Sequence, residues 1–136
     1  MYLLDTNACI GLIGRRHPSM RTRLHSILAS RASVMVSAIA AFELWYGAAK
    51  SARPVENANV LDGFFLGPIG ILPFESEDSR VAGELRASLE RIGKPIGAYD
   101  VLIAAQAIRH NLILVTANVK EFGRLKGLKF EDWTKE

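Results

Sequence analysis

Three carboxylates stand where a core-building sequence has little use for charge. Asp5 closes the apolar run Tyr2-Leu3-Leu4, Glu43 sits between Phe42 and Leu44, and Asp100 opens the apolar stretch Val101 to Ala105. On a helix, the neighbours of Glu43 at three and four positions are Ile39, Ala40, Tyr46 and Gly47, so its face has almost no polar company. An unpaired carboxylate against apolar surface costs on the order of several kcal/mol unless a cation or hydrogen bonds satisfy it. Clustered carboxylates raise one another's pKa unless a divalent cation is their partner. Oxygen donors of this kind suit a hard ion, Mg2+ or Mn2+, rather than zinc. Such an ion serves phosphate chemistry, activating water and steadying the leaving oxygen of an in-line displacement.

Each acid also has a simpler reading. Asp5 is equally suited to cap a following helix, and Asp100 to be a first-turn acid favoured by the helix dipole. Glu43 resists this treatment, because the nearest cations after it, Lys50 and Arg53, lie beyond a single i to i+4 step. Other chemistries find little support. His17, His25 and His110 share no ligand spacing, and the single cysteine, Cys9, rules out a disulfide framework or a multi-thiolate metal site. Neither a GxxxxGK nor a GxGxxG pattern occurs, which speaks against ATP or NAD.

Charge is unevenly placed. Lys plus Arg number 17 against 14 Asp plus Glu, a net +3 that permits a polyanionic partner without demanding one. From Thr6 to Val55 the only carboxylate is Glu43, while Arg15, Arg16, Arg21, Arg23 and Arg31 crowd the start of the chain. Arg15, Arg16, Arg21 and Arg23 are candidate contacts for nucleic-acid phosphates, with a solvated helix face as the plain alternative.

The elements that must position these residues follow from periodicity. At 136 residues, a single domain over 1–136 is the expectation. Short apolar runs at Tyr2–Leu4, Val34–Val36, Ile69–Phe74 and Leu112–Val115, with Leu128–Phe130 as an edge, predict strands. Between them lie helical patterns at about 8–13, 19–32, 38–50, 55–66, 76–92, 98–110 and 119–125. Apolar strands alternating with helices predict an α/β fold, a parallel sheet with helices on both faces. Function in such a sheet gathers at the carboxyl ends of the strands, which selects the polar turns Asp5-Thr6-Asn7 and Thr116-Ala117-Asn118. Neither a signal peptide nor a run approaching the ~20 apolar residues of a spanning helix is evident, so a cytoplasmic protein without membrane function is expected.

Four segments together resemble PIN-domain ribonucleases, specifically the VapC-type toxins of toxin-antitoxin pairs. They are Leu4-Asp5-Thr6-Asn7, Ser37 to Gly47 (SAIAAFELWYG), Pro95 to Ala105 (PIGAYDVLIAA) and Leu114 to Phe122 (LVTANVKEF), with the closing Glu131-Asp132-Trp133 also similar. The resemblance runs in order along the whole chain. It implies a three-layer α/β/α sandwich with a mostly parallel, about five-stranded sheet, a homodimer, and an antitoxin protein that blocks the site. It further implies Mg2+-dependent endonucleolytic cleavage of RNA, with Asp5, Glu43 and Asp100 on the metal-binding acids and Thr6 and Thr116 on supporting hydroxyls. Asp5 and Asp100 would bind the ion, and Glu43 would either bind it or orient the attacking water. Asn118 occupies a position where many members carry an acid, and Glu121 is a nearby substitute; one Mg2+ (or Mn2+) rather than two is therefore expected. The competing readings are a catalytically weak PIN-like module that binds RNA or protein, a DNA-directed nuclease, and a phosphoacceptor switch domain. The last needs a second acid beside the first, where this chain has Thr6.

Overall fold

In a computed structural model describing residues 1–135, the apolar runs pair as one parallel sheet. The strands are β1 (Tyr2–Leu4), β2 (Val34–Ser37), β3 (Gly70–Leu72), β4 (Ile113–Val115) and β5 (Lys129–Glu131), in the order β3-β2-β1-β4-β5. All four strand pairs are parallel, so helices must make the crossovers. These are α1 (Thr6–Gly14), α2 (Pro18–Ala29), α3 (Ala38–Lys50), α4 (Pro54–Phe65), α5 (Ser76–Arg91), α6 (Ala98–Arg109) and α7 (Val119–Phe122). The chain moves outward from β1 to β3, then returns across β1 to β4. With right-handed crossovers, that reversal puts helices on both faces and makes the β1/β4 junction the switch point where ligands bind.

Local chemistry explains the element ends. Asp5 accepts a hydrogen bond from Ala8 N at 2.8 Å and so starts α1 at Thr6, two residues earlier than the sequence periodicity indicates. Pro18 and Pro54 open α2 and α4, where a missing N–H costs nothing. Gly93 (φ 68°) closes α5 with Lys94 N donating to Leu89 O. Asn111 (φ 53°) closes α6 the same way, and Leu112 N donates to Ala107 O before the chain enters β4. β3 is shorter than its apolar run, ending before Pro73, which has no N–H for a ladder. Leu3, Leu4, Val36, Ile103 and Leu114 are wholly buried, and α6 carries the most buried residues of any helix, as its all-round apolar pattern predicts.

Candidate active site

Strand register fixes the floor of the site. Leu4 stands opposite Val36 on one side and Val115 on the other, so the next residues, Ser37, Asp5 and Thr116, form a polar row at the carboxyl ends of β2, β1 and β4. All three are buried, Asp5 at 4% exposure. Asp5 directs Oδ1 to the Ala8 amide, and its cap is thus real; a hydrogen bond from Thr116 also steadies the carboxylate. Ser37 Oγ accepts from Ile39 N at 3.0 Å and starts α3, the helix that carries Glu43.

Thr6, the first residue of α1, reaches across to that helix: its Oγ1 donates to Glu43 Oε1 at 2.7 Å. The partner the sequence could not supply for Glu43 is therefore a hydroxyl, not a cation. Asp100 sits in the first turn of α6, against Gly97; a Cβ at Gly97 would lie 3.0 Å from Asp100 Oδ2. The small residue leaves the carboxylate its place. On the remaining side, Asn118 Nδ2 donates to Glu121 Oε2 at 3.0 Å, and Asn118 N donates to Thr116 Oγ1 at 3.0 Å.

Burial and mutual charge act on this group together. Burial raises the Asp5 carboxyl above its ordinary value, the negative charges of Glu43 and Asp132 add to the rise, and hydrogen bonds from Thr116 and the Ala8 amide oppose it. Asp100 is pushed up to about 6, by burial first and then by the charges of Glu121, Asp5 and Glu43. Glu121 also hydrogen-bonds Asp100, which favours the protonated form. The acids singled out in the sequence thus lie within electrostatic reach of one another, and Glu121 supplies the charge that Asn118 lacks. An all-oxygen set of mutually repelling carboxylates is the donor chemistry a hard divalent cation requires. Asp132, noted in the sequence only as part of the closing similar segment and not as a site acid, acts on the same centre from the segment after β5.

Cys9 packs beneath the site, wholly buried, and burial together with the Asp5 charge pushes its thiol up; it is a core residue. The basic group divides. Arg21 Nη2 donates to Leu12 O at 3.0 Å, and Arg23 Nη2 pairs with Glu131 Oε1 at 3.1 Å. Arg15 and Arg16 are exposed and make no ion pair among the described residues. Arg16 and His17 wall a cavity of about 200 Å³ whose other sides include Asn7, Thr116, Asp132 and Thr134.

A second acidic group lies on the α5–α6 hairpin. Glu75, Asp78 and His110 bring ligand atoms within 4.8 Å of one another, the only such trio among the described residues. The oxygens of Asp5, Glu43, Asp100 and Glu121 are spread more widely than that. Yet the hairpin trio already has its cation. Arg109 Nε meets Asp78 Oδ1 at 2.6 Å and Arg109 Nη2 meets Glu75 Oε1 at 2.7 Å. Burial raises the Asp78 carboxyl, but hydrogen bonds from Arg109 and the Glu75 amide outweigh it and hold the group below its ordinary value. This is an internal ion pair, and the wider ring at the strand ends is the candidate site.

Comparison with known proteins spans nearly the whole chain. The PIN domain family profile matches residues 2–128. Ribonuclease VapC2 of Rickettsia felis is 40% identical over 135 residues, covering 99% of both chains. The tRNA(fMet)-specific endonuclease VapC of Shigella flexneri is 38% identical over 133 residues, covering 98% of both. Among solved structures, VapBC2 from Rickettsia felis bound to a DNA fragment from its promoter superposes with a TM-score of 0.90 at 38% identity, covering 97% of this chain and 98% of that one. DNA-bound VapBC from Salmonella typhimurium gives 0.89 at 36% identity, with 97% of each chain covered. With its five parallel strands and the acids at their carboxyl ends, this chain belongs to the PIN-domain family, among the VapC ribonucleases.

Proposed function

We propose that this chain is the toxin of a toxin-antitoxin pair and hydrolyses RNA phosphodiester bonds at a centre built from Asp5, Glu43 and Asp100. The observation that carries the reading is the convergence of these acids, with burial and shared charge raising both Asp5 and Asp100. Bound there, one Mg2+ or Mn2+ would neutralise the phosphodiester and lower the pKa of the attacking water. Asp5 and Asp100 would hold the ion. Thr6 fixes one oxygen of Glu43 and leaves the other to bind the ion or to take a proton from water. Asn118 positions Glu121, and Thr116 steadies Asp5.

RNA phosphates would lie along Arg15 and Arg16, which, unlike Arg21 and Arg23, make no side-chain hydrogen bond or ion pair among the described residues. Relatives from Shigella flexneri and Salmonella typhimurium bear the name tRNA(fMet)-specific endonuclease, so initiator tRNA is the first substrate to test. For the antitoxin, structures of VapBC complexes from relatives support a protein partner. An apolar groove between α1, α3 and α4, lined by Ile10, Ile13, Leu44, Val60 and Leu61, offers it a seat. The homodimer belongs to the same reading, and the exposed Val55 and Leu66 at the two ends of α4 provide apolar surface for it. No helix among the described residues is long and apolar enough to cross a membrane.

The test is to express the chain alone and as Asp5→Asn, score growth arrest and map new RNA 5′ ends. Arrest and new ends that vanish in the variant support hydrolysis at this centre. Arrest that persists unchanged, without new ends, supports the binding module instead.

A further inference from the structure

We propose that Phe42, Tyr46 and Tyr99 form a stacking wall for an unpaired RNA base beside the bond that is cut. The proposal rests on the ribonuclease reading above and adds to it how the substrate is gripped.

Phe42 and Tyr46 stand four residues apart on α3 and therefore share a face, which Lys50 continues one turn further. They remain 51% and 57% exposed, and Tyr99, at the start of α6 next to Asp100, is 47% exposed. These rings are outside the core yet ordered against one another. Phe42 and Tyr46 lie nearly parallel, 6.4 Å between centroids at 19°, and Tyr99 meets Phe42 edge-on at 5.7 Å and 70°. Lys50 Nζ sits 4.7 Å from the Tyr46 centroid, so the strip ends in a positive charge.

Position decides what the strip can meet. The three rings and Lys50 line one open groove with Thr6, Asn7 and Glu43, the residues that follow or face the catalytic acid Asp5. Asn7 and Ile10 also border the cavity of Arg16 and His17, so the aromatic and basic surfaces adjoin at α1, the helix that follows Asp5. A strand laid along both would find ring faces and cations together, the two elements of single-strand recognition. A second copy of the chain fits the patch less well. Three half-exposed rings offer roughly 300 Å², against the ~800 Å² per partner of a stable protein interface.

The experiment uses the Asp5→Asn protein, so that RNA is bound and not cut, with a fluorescein-labelled unstructured RNA oligonucleotide and, separately, a duplex of the same sequence. Phe42→Ala and Tyr46→Ala are each expected to weaken single-strand binding about tenfold. Tyr46→Phe should retain it, and duplex binding should change little. Circular dichroism melting confirms that each variant folds, and sedimentation gives its oligomeric state. Unchanged single-strand affinity overturns the proposal. So does a loss of affinity that appears only together with a change in oligomeric state, which would assign the rings to a protein contact. The two readings fail separately. If the wild-type chain cuts no RNA with Mg2+, the ribonuclease reading is lost. If it cuts, and Phe42→Ala and Tyr46→Ala cut single-stranded RNA with unchanged KM, only the stacking wall is lost.

Discussion

One oxygen of Asp5 is committed to the Ala8 amide before any ligand arrives, so the residue is at once a helix cap and a member of the acidic ring. That double duty has a thermal signature. Asp5 and Asp100 both have folded values above the ordinary 3.8, Asp100 near 6. A raised carboxyl favours the folded state below its unfolded pKa, and that contribution disappears as pH rises through the folded value. The EDTA-treated protein is therefore expected to gain melting temperature as pH falls from 7 to 5. Asp78, shifted downward, loses its contribution only below its ordinary value and leaves that window clear. Asp100→Asn should flatten the rise, and 10 mM Mg2+ at pH 7 should raise the melting temperature of the wild type but not of Asp100→Asn. A melting temperature that falls steadily from pH 7 to 5 would contradict the burial and repulsion assigned to these acids. Thr6 gives a second test at this scale. Thr6→Val removes the donor to Glu43 without changing volume, and loss of such an orienting bond lowers activity by roughly 10- to 100-fold. Thr6→Ser should recover most of it, whereas a purely structural role would make the two variants differ in stability and not in kcat.

At the scale of elements, α6 does more than deliver Asp100. Gln106, wholly buried two turns further on, donates to Leu72 O and Pro73 O and accepts from Ser37 Oγ, the cap of the helix that carries Glu43. One amide thus joins the end of β3, the start of α3 and the body of α6. At the far end of α6, Arg109 neutralises the wholly buried Asp78 of α5. Removing one partner of a pair whose acid is buried leaves an uncompensated charge, so Arg109→Met should lower the midpoint of urea unfolding. The double variant Arg109→Met/Asp78→Leu should recover most of that loss, and a double variant no more stable than the single one would show that the loss does not come from an uncompensated Asp78 charge. Little of this was legible in the sequence. Asp5, Glu43 and Asp100 stood out because their type clashes with their neighbours, and strand and helix periods placed the elements to within a few residues. Gln106 looked like one polar position in an apolar helix, since its partners lie 69, 34 and 33 residues away. His110 showed no ligand spacing for the same reason, its acidic neighbours belonging to another helix.

Across the whole molecule, the uneven charge read from the sequence is divided by the fold into structural and available cations. Arg15, Arg16, Arg21 and Arg23 were equivalent candidates for phosphate contact, because composition cannot say which ones the fold uses. Arg21 is turned to a helix carbonyl and Arg23 to Glu131, which leaves Arg15 and Arg16, the latter beside the cavity that borders Asn7 and Thr116. Each phosphate contact made on single-stranded nucleic acid contributes roughly 0.7 to the slope of log affinity against log salt. In the cleavage-dead Asp5→Asn background, Arg16→Gln is therefore expected to weaken RNA binding and to lower that slope by about 0.7, with the melting temperature nearly unchanged. Arg23→Gln should do the opposite. It leaves the slope alone and costs at most about 1 kcal/mol of stability, since the pair with Glu131 is solvent-exposed. Fluorescence anisotropy titrations between 50 and 300 mM KCl separate the two. Equal slopes for wild type and Arg16→Gln would move the RNA path away from the Arg16 cavity, and a lowered slope for Arg23→Gln would mean that its ion pair opens to receive the strand.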